Sequence, residues 1–484
     1  MSFSWGNGAR ILTGALFVSC LGIVGCCAVP PNYYPSVPPP FIEGSTSAKV
    51  SESPIRARFG ALEGAVVVPN AVLASDVASP GEKLTLDDAI RETLMSDPRI
   101  QAAAESINQA QADLVTNSLI PNPTLTADGI FLPFRKFTPE RPGGPPQADL
   151  QLGFPIDWFL FGKRAAAIAS GKAGVDVSGA DFANYVRQRL SSTISSFYDI
   201  LEATALLEVA RDNFINLQKV EKITVERAKL GGVGAIEVDR IRLALYDAQR
   251  EVRRSETVAI AAKATLQSLL GRRGDDPKFD VTGSLSVPRP ATPLRAAEAF
   301  ALAEQYRPDV ISLQRQIAKA EAGIRVETTK AYPTVTPAAA LSRQYQKTLG
   351  NPDAPSYDLY LNVSLPLFDR NQGNIQKAQS VLAQSHYLLR GQLNDLRSEI
   401  EQAVQDFNVA HRNVTSDDPK QLEAAKKVRD GIEKSYKAGG RPLIEVLDAE
   451  RAYRDTYKLY ITSQSSYWHS LHRLNATIGK QVLP

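Results

Sequence analysis

One glycine-containing stretch occurs twice at a fixed separation, and this constrains the chain more than any other feature. The second copy is KAGGRPLIEVLDAE, from Lys437 to Glu450, and the first is KLGGVGAIEVDRIRLA, from Lys229 to Ala244. Superposing the copies places Val238 on Val446, 208 positions later, and the neighbouring residues match at the same separation. A constant long-range separation predicts a tandem duplication.

In each copy a helical pattern stops at paired glycines and restarts at once. Glycine reaches left-handed backbone angles without a Cβ clash, so such pairs suit a helix end followed by a reversal. We therefore expect two hairpin tips, at 229–240 and 437–448, and the turn glycines are Gly231, Gly232, Gly439 and Gly440.

The composition excludes several classes of protein. Of 484 residues, 43% are hydrophobic and 22% charged, which argues against wholesale disorder and against a protein of many membrane-spanning helices. The net charge of +3 is too balanced to indicate a nucleic-acid partner. All three cysteines lie within the first 27 residues, so we expect neither a disulfide nor a thiolate metal site in the folded body.

The N-terminus has the pattern of a processed export signal. The apolar run ILTGALFVSCLGIVG has about the length of a signal peptide and ends in IVGC, which resembles a bacterial lipobox. We expect a signal peptide over 1–25 and diacylation of Cys26, which would attach the chain to lipid. Cleavage near Ala28 and an uncleaved anchor are the alternatives. The Pro-rich region 26–81 is predicted to be an extended linker.

The rest of the chain divides into two similar halves. Each half predicts short helices, then two alternating stretches typical of strands, then a long helical hairpin. The predicted units are repeat 1 (82–271, strand pair about 124–156), a connector (272–293), repeat 2 (294–480, strand pair about 334–366) and a C-terminal tail (481–484).

Helices of unusual length are predicted beside the hairpin tips. The pattern from Gly162 to Lys229 contains no proline, and at about 1.5 Å per residue it approaches 100 Å, which is typical of a coiled-coil stalk. In repeat 2, a helix from Gly373 to His411 is followed by a predicted break at Thr415–Pro419.

The predicted strands have roughly the 9–11 residues that a membrane-spanning strand needs. Strands that span a membrane must close into a barrel, and four per chain are too few. The barrel would therefore be shared between chains. The helices, far longer than a bilayer is thick, would project into an aqueous space.

From Leu84 to Gly479 the chain resembles the TolC-like outer-membrane efflux proteins, also called outer membrane factors. LPLFDRNQGN (365–374) is similar to their heavy-metal branch, and the opening CAVPPNYYPS to their lipidated drug-efflux branch. The resemblance implies a mixed α/β membrane protein in which three protomers share one β-barrel. Their coiled-coil hairpins would continue it as an α-helical barrel across the periplasm.

The resemblance also implies a function. The trimer would be a passive exit duct in the outer membrane, joined through a periplasmic adaptor to an inner-membrane pump of the resistance-nodulation-division type. Heavy-metal cations or drugs would be the cargo. A periplasmic coiled-coil scaffold or adaptor lipoprotein without a pore is the alternative, but it would not need strands of membrane-spanning length.

Two acids follow the second glycine pair. Glu445 and Asp448 lie three residues apart and share a helix face. Acids in a first helical turn can simply complement the helix dipole. The resemblance instead implies that they ring a periplasmic entrance, where symmetry would crowd the carboxylates and concentrate cations. Asp448 corresponds to Arg240 in the first copy, so the acid pair is not repeated.

Three further residues match a latch in the family. Taken alone, Arg441 is a typical surface charge and Tyr436 a typical packing residue. The resemblance implies that both bond an acid on the other tip and hold the entrance shut. Glu237 lies at the position of that acid.

The sequence favours neither catalysis nor a resident metal. His469 and His472 lie three apart, but a metal site would need more ligands. No GxSxG, P-loop or HExxH pattern occurs. We therefore predict a protein that is not an enzyme and has no cofactor.

Overall fold

The computed structural model describes residues 83–130, 132, 144–273, 279–287, 291–292, 294–347 and 350–483. These residues belong to one compact unit, Phe59–Pro484. The predicted signal peptide, Cys26 and the Pro-rich linker lie outside the described residues, so those predictions stay untested.

The described elements follow the predicted order in both halves of the chain. They are β1 (Lys83–Leu84), α1 (Leu86–Ser96), α2 (Pro98–Ser118), β2 (Thr124–Ile130), β3 (Gln147–Gly153), α3 (Asp157–Leu160), α4 (Lys163–Lys229), α5 (Ala235–Leu269), β4 (Asp280–Val281), α6 (Ala296–Tyr306), α7 (Pro308–Lys330), β5 (Thr334–Gln344), β6 (Ala354–Ser364), α8 (Gln372–Arg412), a π-helical turn (Asn413–Asp417), α9 (Asp418–Lys437) and α10 (Leu443–Ile478).

Helix α4 confirms the predicted long helix. It has 67 residues and begins directly after Gly162, whose φ of 68° is left-handed. At about 1.5 Å per residue it is about 100 Å long. Helices α2, α5, α7 and α10 all pack along it. Helix α4 is therefore the element that joins the two halves of the chain.

Shorter helices meet end to end beside α4. The end of α5 reaches the start of α2, where an added Cβ at Gly271 would lie 2.3 Å from the carbonyl oxygen of Ser96. The end of α10 reaches the start of α7 in the same way, since a Cβ at Gly479 would lie 2.9 Å from the Cα of Arg307. Both glycines have a left-handed φ, so each junction excludes a larger residue for two reasons.

The predicted helix break at Thr415–Pro419 is wrong. Helix α8 passes into α9 through the π-helical turn Asn413–Asp417, and Pro419 occupies the first turn of α9. The amide of Asp418 bonds the carbonyl of Asn413, five residues back, so the backbone is wound more widely just where proline has no N–H to donate. The wider turn keeps the chain helical where proline alone predicted an interruption.

The four long strands form one antiparallel sheet in the order β2-β3-β5-β6. Leu125 pairs with Leu152, Leu150 with Leu341, and Leu341 with Tyr357, so these side chains share one face. The other face is polar; it carries Thr126, Asp128, Gln151, Asp149, Ser342, Asp358 and Asn362. Strands β5 and β6 have 11 residues each, whereas β2 and β3 have seven.

The short strands β1 and β4 pair in parallel and cover one side of the middle of α4. Phe197 and Leu201 of α4 pack there against Leu84 and Phe279. This small layer places the connector between the halves against the middle of the helical region. None of the described helices is both long enough and apolar enough to be a membrane span.

Candidate functional site

Both hairpin tips use the same backbone geometry. Gly231 (φ 73°) and Gly439 (φ 84°) are left-handed, and the amides of Gly232 and Gly440 reach back to the carbonyls of Arg227 (2.8 Å) and Ser435 (2.9 Å). This is the bonding pattern of a Schellman cap. Only the first glycine of each pair has a positive φ.

The second helix of each hairpin starts without a side-chain cap. Gly234 precedes α5 and Pro442 precedes α10, and the first-turn acids are Glu237 and Glu445. A carboxylate in the first turn is stabilised by the positive end of the helix dipole. This local role explains one acid on each tip, and it does not explain Asp448.

Tyr436 joins the two tips of the chain. Its side chain is 1% exposed, and its hydroxyl lies 2.7 Å from the Oγ1 of Thr224, which is itself fully buried. Arg227 lies over the ring, 4.8 Å from its centre, and donates through Nη1 to the Tyr436 carbonyl at 3.0 Å. No pattern in the sequence points to Thr224 or Arg227, because neither belongs to the repeated stretch.

Arg441 and Glu237 do not meet within one chain. Arg441 donates through Nη1 to Oε2 of Glu445 at 2.9 Å, one helical turn away; Arg441 is exposed and Glu445 partly exposed. The Oε2 of Glu237 is buried and has no hydrogen-bond partner among the described residues. The predicted latch of Tyr436, Arg441 and Glu237 therefore stays a prediction.

Glu445 and Asp448 lie three residues apart on α10, as predicted, with Asp448 exposed and Glu445 partly so.

A third acid, Glu450, lies further along the same helix and is 4% exposed. Burial raises the pKa of its carboxyl above the ordinary value. Glu450 borders a cavity of about 240 Å³ between α4, α9 and α10, beside Arg429 and Asn213. Spacing alone did not distinguish this buried acid from the exposed pair.

Both histidines of α10 contact side chains of α4. His472 stacks on Tyr198, with ring centres 5.2 Å apart, and burial lowers its pKa to about 4. His469 contacts Asp199 through Nε2 at 3.1 Å and Ser195 through Nδ1 at 3.2 Å. Across the described part of the chain, no group of three His, Cys, Asp or Glu side chains could hold a metal ion.

The DRNQGN segment has a structural role at the start of α8. Asn371 adopts a left-handed φ of 59°, and its Nδ2 donates to the carbonyl and the carboxylate of Glu327, each at 2.8 Å. Asn374 donates to Asn371 at 2.6 Å. These polar side chains form the turn that leads from the sheet into α8.

The sequence profile of the outer membrane efflux protein family matches residues 89–272 and 300–480. The chain is 24% identical over 411 residues to the pyoverdine export outer membrane protein OpmQ of Pseudomonas aeruginosa, covering 81% of this chain and 83% of OpmQ. It is also 24% identical over 422 residues to the cobalt-zinc-cadmium resistance protein CzcC of Cupriavidus metallidurans, covering 86% and 94% of the two chains.

The fold is also similar to that of a solved structure. The Campylobacter jejuni CmeC outer membrane channel superposes with a TM-score of 0.69 at 16% identity, covering 92% of this chain and 95% of CmeC. Members of the matched family are passive outer membrane channels and not enzymes. Because the profile covers most of both halves, the chain belongs to the outer membrane efflux protein family.

Proposed function

We propose that three copies of this chain form the outer-membrane exit duct of a tripartite efflux system. The observation that carries this proposal is the four-stranded sheet with one apolar face exposed. Leu359 is 81% exposed, and Leu361, Tyr357, Leu341 and Leu125 are also exposed on the same face. A soluble scaffold or adaptor would have no reason to expose this face, whereas a lipid-facing strand needs it.

The edges of the sheet support sharing between chains. Strands β2 and β6 each have one neighbour in the described structure, so each leaves one edge unpaired. An open edge in lipid leaves backbone groups without partners at a cost of several kcal/mol each. Three chains together supply a strand number within the natural range of about 8 to 26. A barrel closed by a homotrimer would leave no strand edge unpaired.

The outer helices also expose apolar side chains. Helix α5 exposes Leu243, Tyr246 and Ile260, and α8 exposes Tyr387 and Leu388. Both helices lie beside a more central helix, since α5 packs on α4, and α8 packs on α7 and α10. Packing α5 of one protomer against α8 of the next would cover these side chains and close a helical barrel.

The end of the sheet nearest α4 and α8 fits a membrane interface. Phe368 is 92% exposed, and Phe159, Leu160 and Leu367 are also exposed beside the strand ends. Aromatic side chains at that level are typical of membrane barrels, where they sit among the lipid headgroups. Diacylated Cys26 would add a second attachment to the outer membrane.

The hairpin tips are the proposed contact with a periplasmic adaptor. Leu230 is 85% exposed and Ile236 is also exposed, so the first tip presents apolar side chains at its end. The adaptor would connect the duct to an inner-membrane pump, which we propose to be of the resistance-nodulation-division type. The pump would supply the energy, because the chain has no motif for ATP chemistry.

Heavy-metal cations are the proposed cargo, with drugs as the second candidate. The name of CzcC refers to cobalt, zinc and cadmium, and that of OpmQ to pyoverdine export, so relatives differ in cargo. Glu445 and Asp448, repeated around a trimer, would form an acidic ring that favours cations.

The entrance latch is proposed to act between protomers. Glu237 is partly exposed on the first tip and Arg441 is exposed on the second, so both side chains are accessible to a neighbouring protomer. In the trimer, Arg441 of one protomer would release Glu445 of its own chain and bond Glu237 of a neighbouring protomer instead. Tyr436 would hold each protomer's own tips in register for that contact.

The lipid-facing sheet is tested by two arginine substitutions on opposite faces of β6. Leu359→Arg should cost about 2–4 kcal/mol in the bilayer and abolish heat-modifiable trimers in outer-membrane fractions. Asn362→Arg, three residues away on the polar face, should leave those trimers intact. Equal effects of both variants, or a monomer released by a salt wash, would contradict the channel.

A further inference from the structure

A polar groove of about 700 Å³ lies at the junction of α5 and α2, beside the middle of α4. Six of its ten lining side chains carry a hydroxyl and two are arginines, Arg99 and Arg189. Hydroxyl and guanidinium groups are hydrogen-bond donors, and a concentration of donors in one groove indicates a ligand that supplies acceptors. The latch and the acid pair of the tips are not part of this groove.

Ser196 gives the groove a second, independent feature. The residue is 3% exposed, and its Oγ is buried without a hydrogen-bond partner among the described residues. A buried hydroxyl left without a partner is costly, so such groups are normally satisfied. Ser196 lines the groove, and a ligand there could accept its hydrogen bond.

The two ends of the groove differ in charge. Arg189 is held by buried Asp97, with Nη2 at 2.6 Å from its Oδ2, so its charge is offset. Arg99 is exposed and has no ion-pair partner in the described ranges, so it leaves a net positive charge at this end. Asp199, paired with His469, lies ten residues further along α4, about 15 Å away.

From these contacts we infer that the arginine end of the groove binds an oxyanion, such as the phosphate, sulfate or carboxylate group of a solute. Arg99 supplies the charge and Arg189 a further guanidinium. Ser196, two helical turns along α4 from Arg189 and one turn from Asp199, supplies a buried donor toward the middle of the groove. A planar guanidinium with neighbouring hydroxyl donors suits the geometry of such groups.

The groove faces away from the β1–β4 layer. Phe197 and Leu201 of α4 point toward that layer. Each residue of an α-helix is rotated by about 100° about the helix axis, so Asp199, two residues from each of them, points to the opposite side of α4. If the tunnel wall is one helix thick, the β1–β4 layer must lie on the outer surface of that wall, because on the inner surface it would block the bore. Under the proposed function, the groove therefore lies on the inner wall, where weak binding suits a passing solute.

Phosphate binding to the purified full-length protein tests this inference. Inorganic phosphate titrated at about pH 7.5 and followed by ³¹P NMR line broadening should show saturable binding. Arg99→Gln should weaken it about tenfold and Ser196→Ala about fivefold. Arg325→Gln, an exposed arginine on α7 outside the groove, should leave the affinity unchanged. Sulfate and acetate should compete if the oxyanion is what the groove recognises.

Ser196→Ala also separates binding from folding. Because the Oγ makes no hydrogen bond within the chain, its removal should leave the melting temperature unchanged or raised. Absence of saturable phosphate binding, or equal affinity in the wild type and both groove variants, would overturn the inference. The phosphate titration needs no bilayer, so it is independent of any conductance measurement. A protein that conducts ions but does not bind phosphate would refute the oxyanion site and leave the proposed channel intact. One that binds without conducting would refute only the channel.

Discussion

At the scale of single residues, Tyr436 has a partner that the sequence does not predict. Its hydroxyl pairs with Thr224 of α4 inside a small core near the tips, which also contains Leu217, Val220 and Leu443. The two hairpins of one chain are therefore joined before any neighbouring chain contributes. The contact between Tyr436 and Thr224 holds the two tips of each protomer together.

Removing the hydroxyl of Tyr436 tests this connection. Tyr436→Phe should lower the free energy of unfolding by about 1 kcal/mol, because Thr224 loses a buried hydrogen bond while the ring remains under Arg227. The measurement is urea unfolding of the detergent-purified protein. Tyr345→Phe, at an exposed tyrosine directly after β5, is the control and should have no effect. Equal losses would show that the Thr224 contact contributes nothing.

His472 gives a pH dependence with a defined sign. Burial lowers its folded-state pKa to about 4, below the ordinary value of 6.5, so the fold favours the neutral ring. The stability from this residue is complete above about pH 6.5 and is lost as the pH falls toward 4. Between about pH 7 and pH 5 the loss should be about 2 kcal/mol.

The pH dependence is measured by urea unfolding at both values of pH. His472→Phe keeps an aromatic ring beside Tyr198 and should remove this part of the dependence. His386→Gln, on the exposed surface of α8, should retain it. A wild-type protein equally stable at both pH values would show that His472 is not held neutral.

At the scale of elements, the hairpin tips depend on one glycine each. Gly439→Ala places a Cβ at a φ of 84° and should cost about 1–2 kcal/mol. Gly440→Ala keeps an ordinary backbone angle, with its Cβ 3.6 Å from the carbonyl oxygen of Ser435, and should be nearly neutral. Hydrogen exchange of the amides around the tip is the measurement. Identical protection in both variants would mean that the left-handed angle is not required.

At the scale of the whole molecule, ion selectivity tests the acid ring. Glu445→Gln combined with Asp448→Asn should lower the preference for cations over anions in planar bilayers, since neutral amides no longer attract cations at the entrance. Asp128, Asp149 and Asp358 on the polar sheet face would keep part of the preference. Asp239→Asn, an exposed acid of the other tip, is the control. Unchanged selectivity in the double variant would remove Glu445 and Asp448 from the pore.

The sequence by itself determined the periodic features of this protein. Helix α4 and all four long strands follow from patterns that repeat within a few residues, and both tips follow from the paired glycines, which is why Lys229 and Gly439 lie where the sequence predicts them. The π-helical turn was missed because Pro419 has the same sequence signal at a first helical turn as at a break.

Only the tertiary structure decided which side chains meet. It paired Tyr436 with Thr224 and Arg441 with Glu445, and it left an oxygen of Glu237 buried without a partner in its own chain's described part. It also distinguished buried Glu450 from exposed Asp448 and revealed the groove around Ser196. Local propensity sets the elements, whereas these contacts join residues far apart in sequence and depend on how the helices pack.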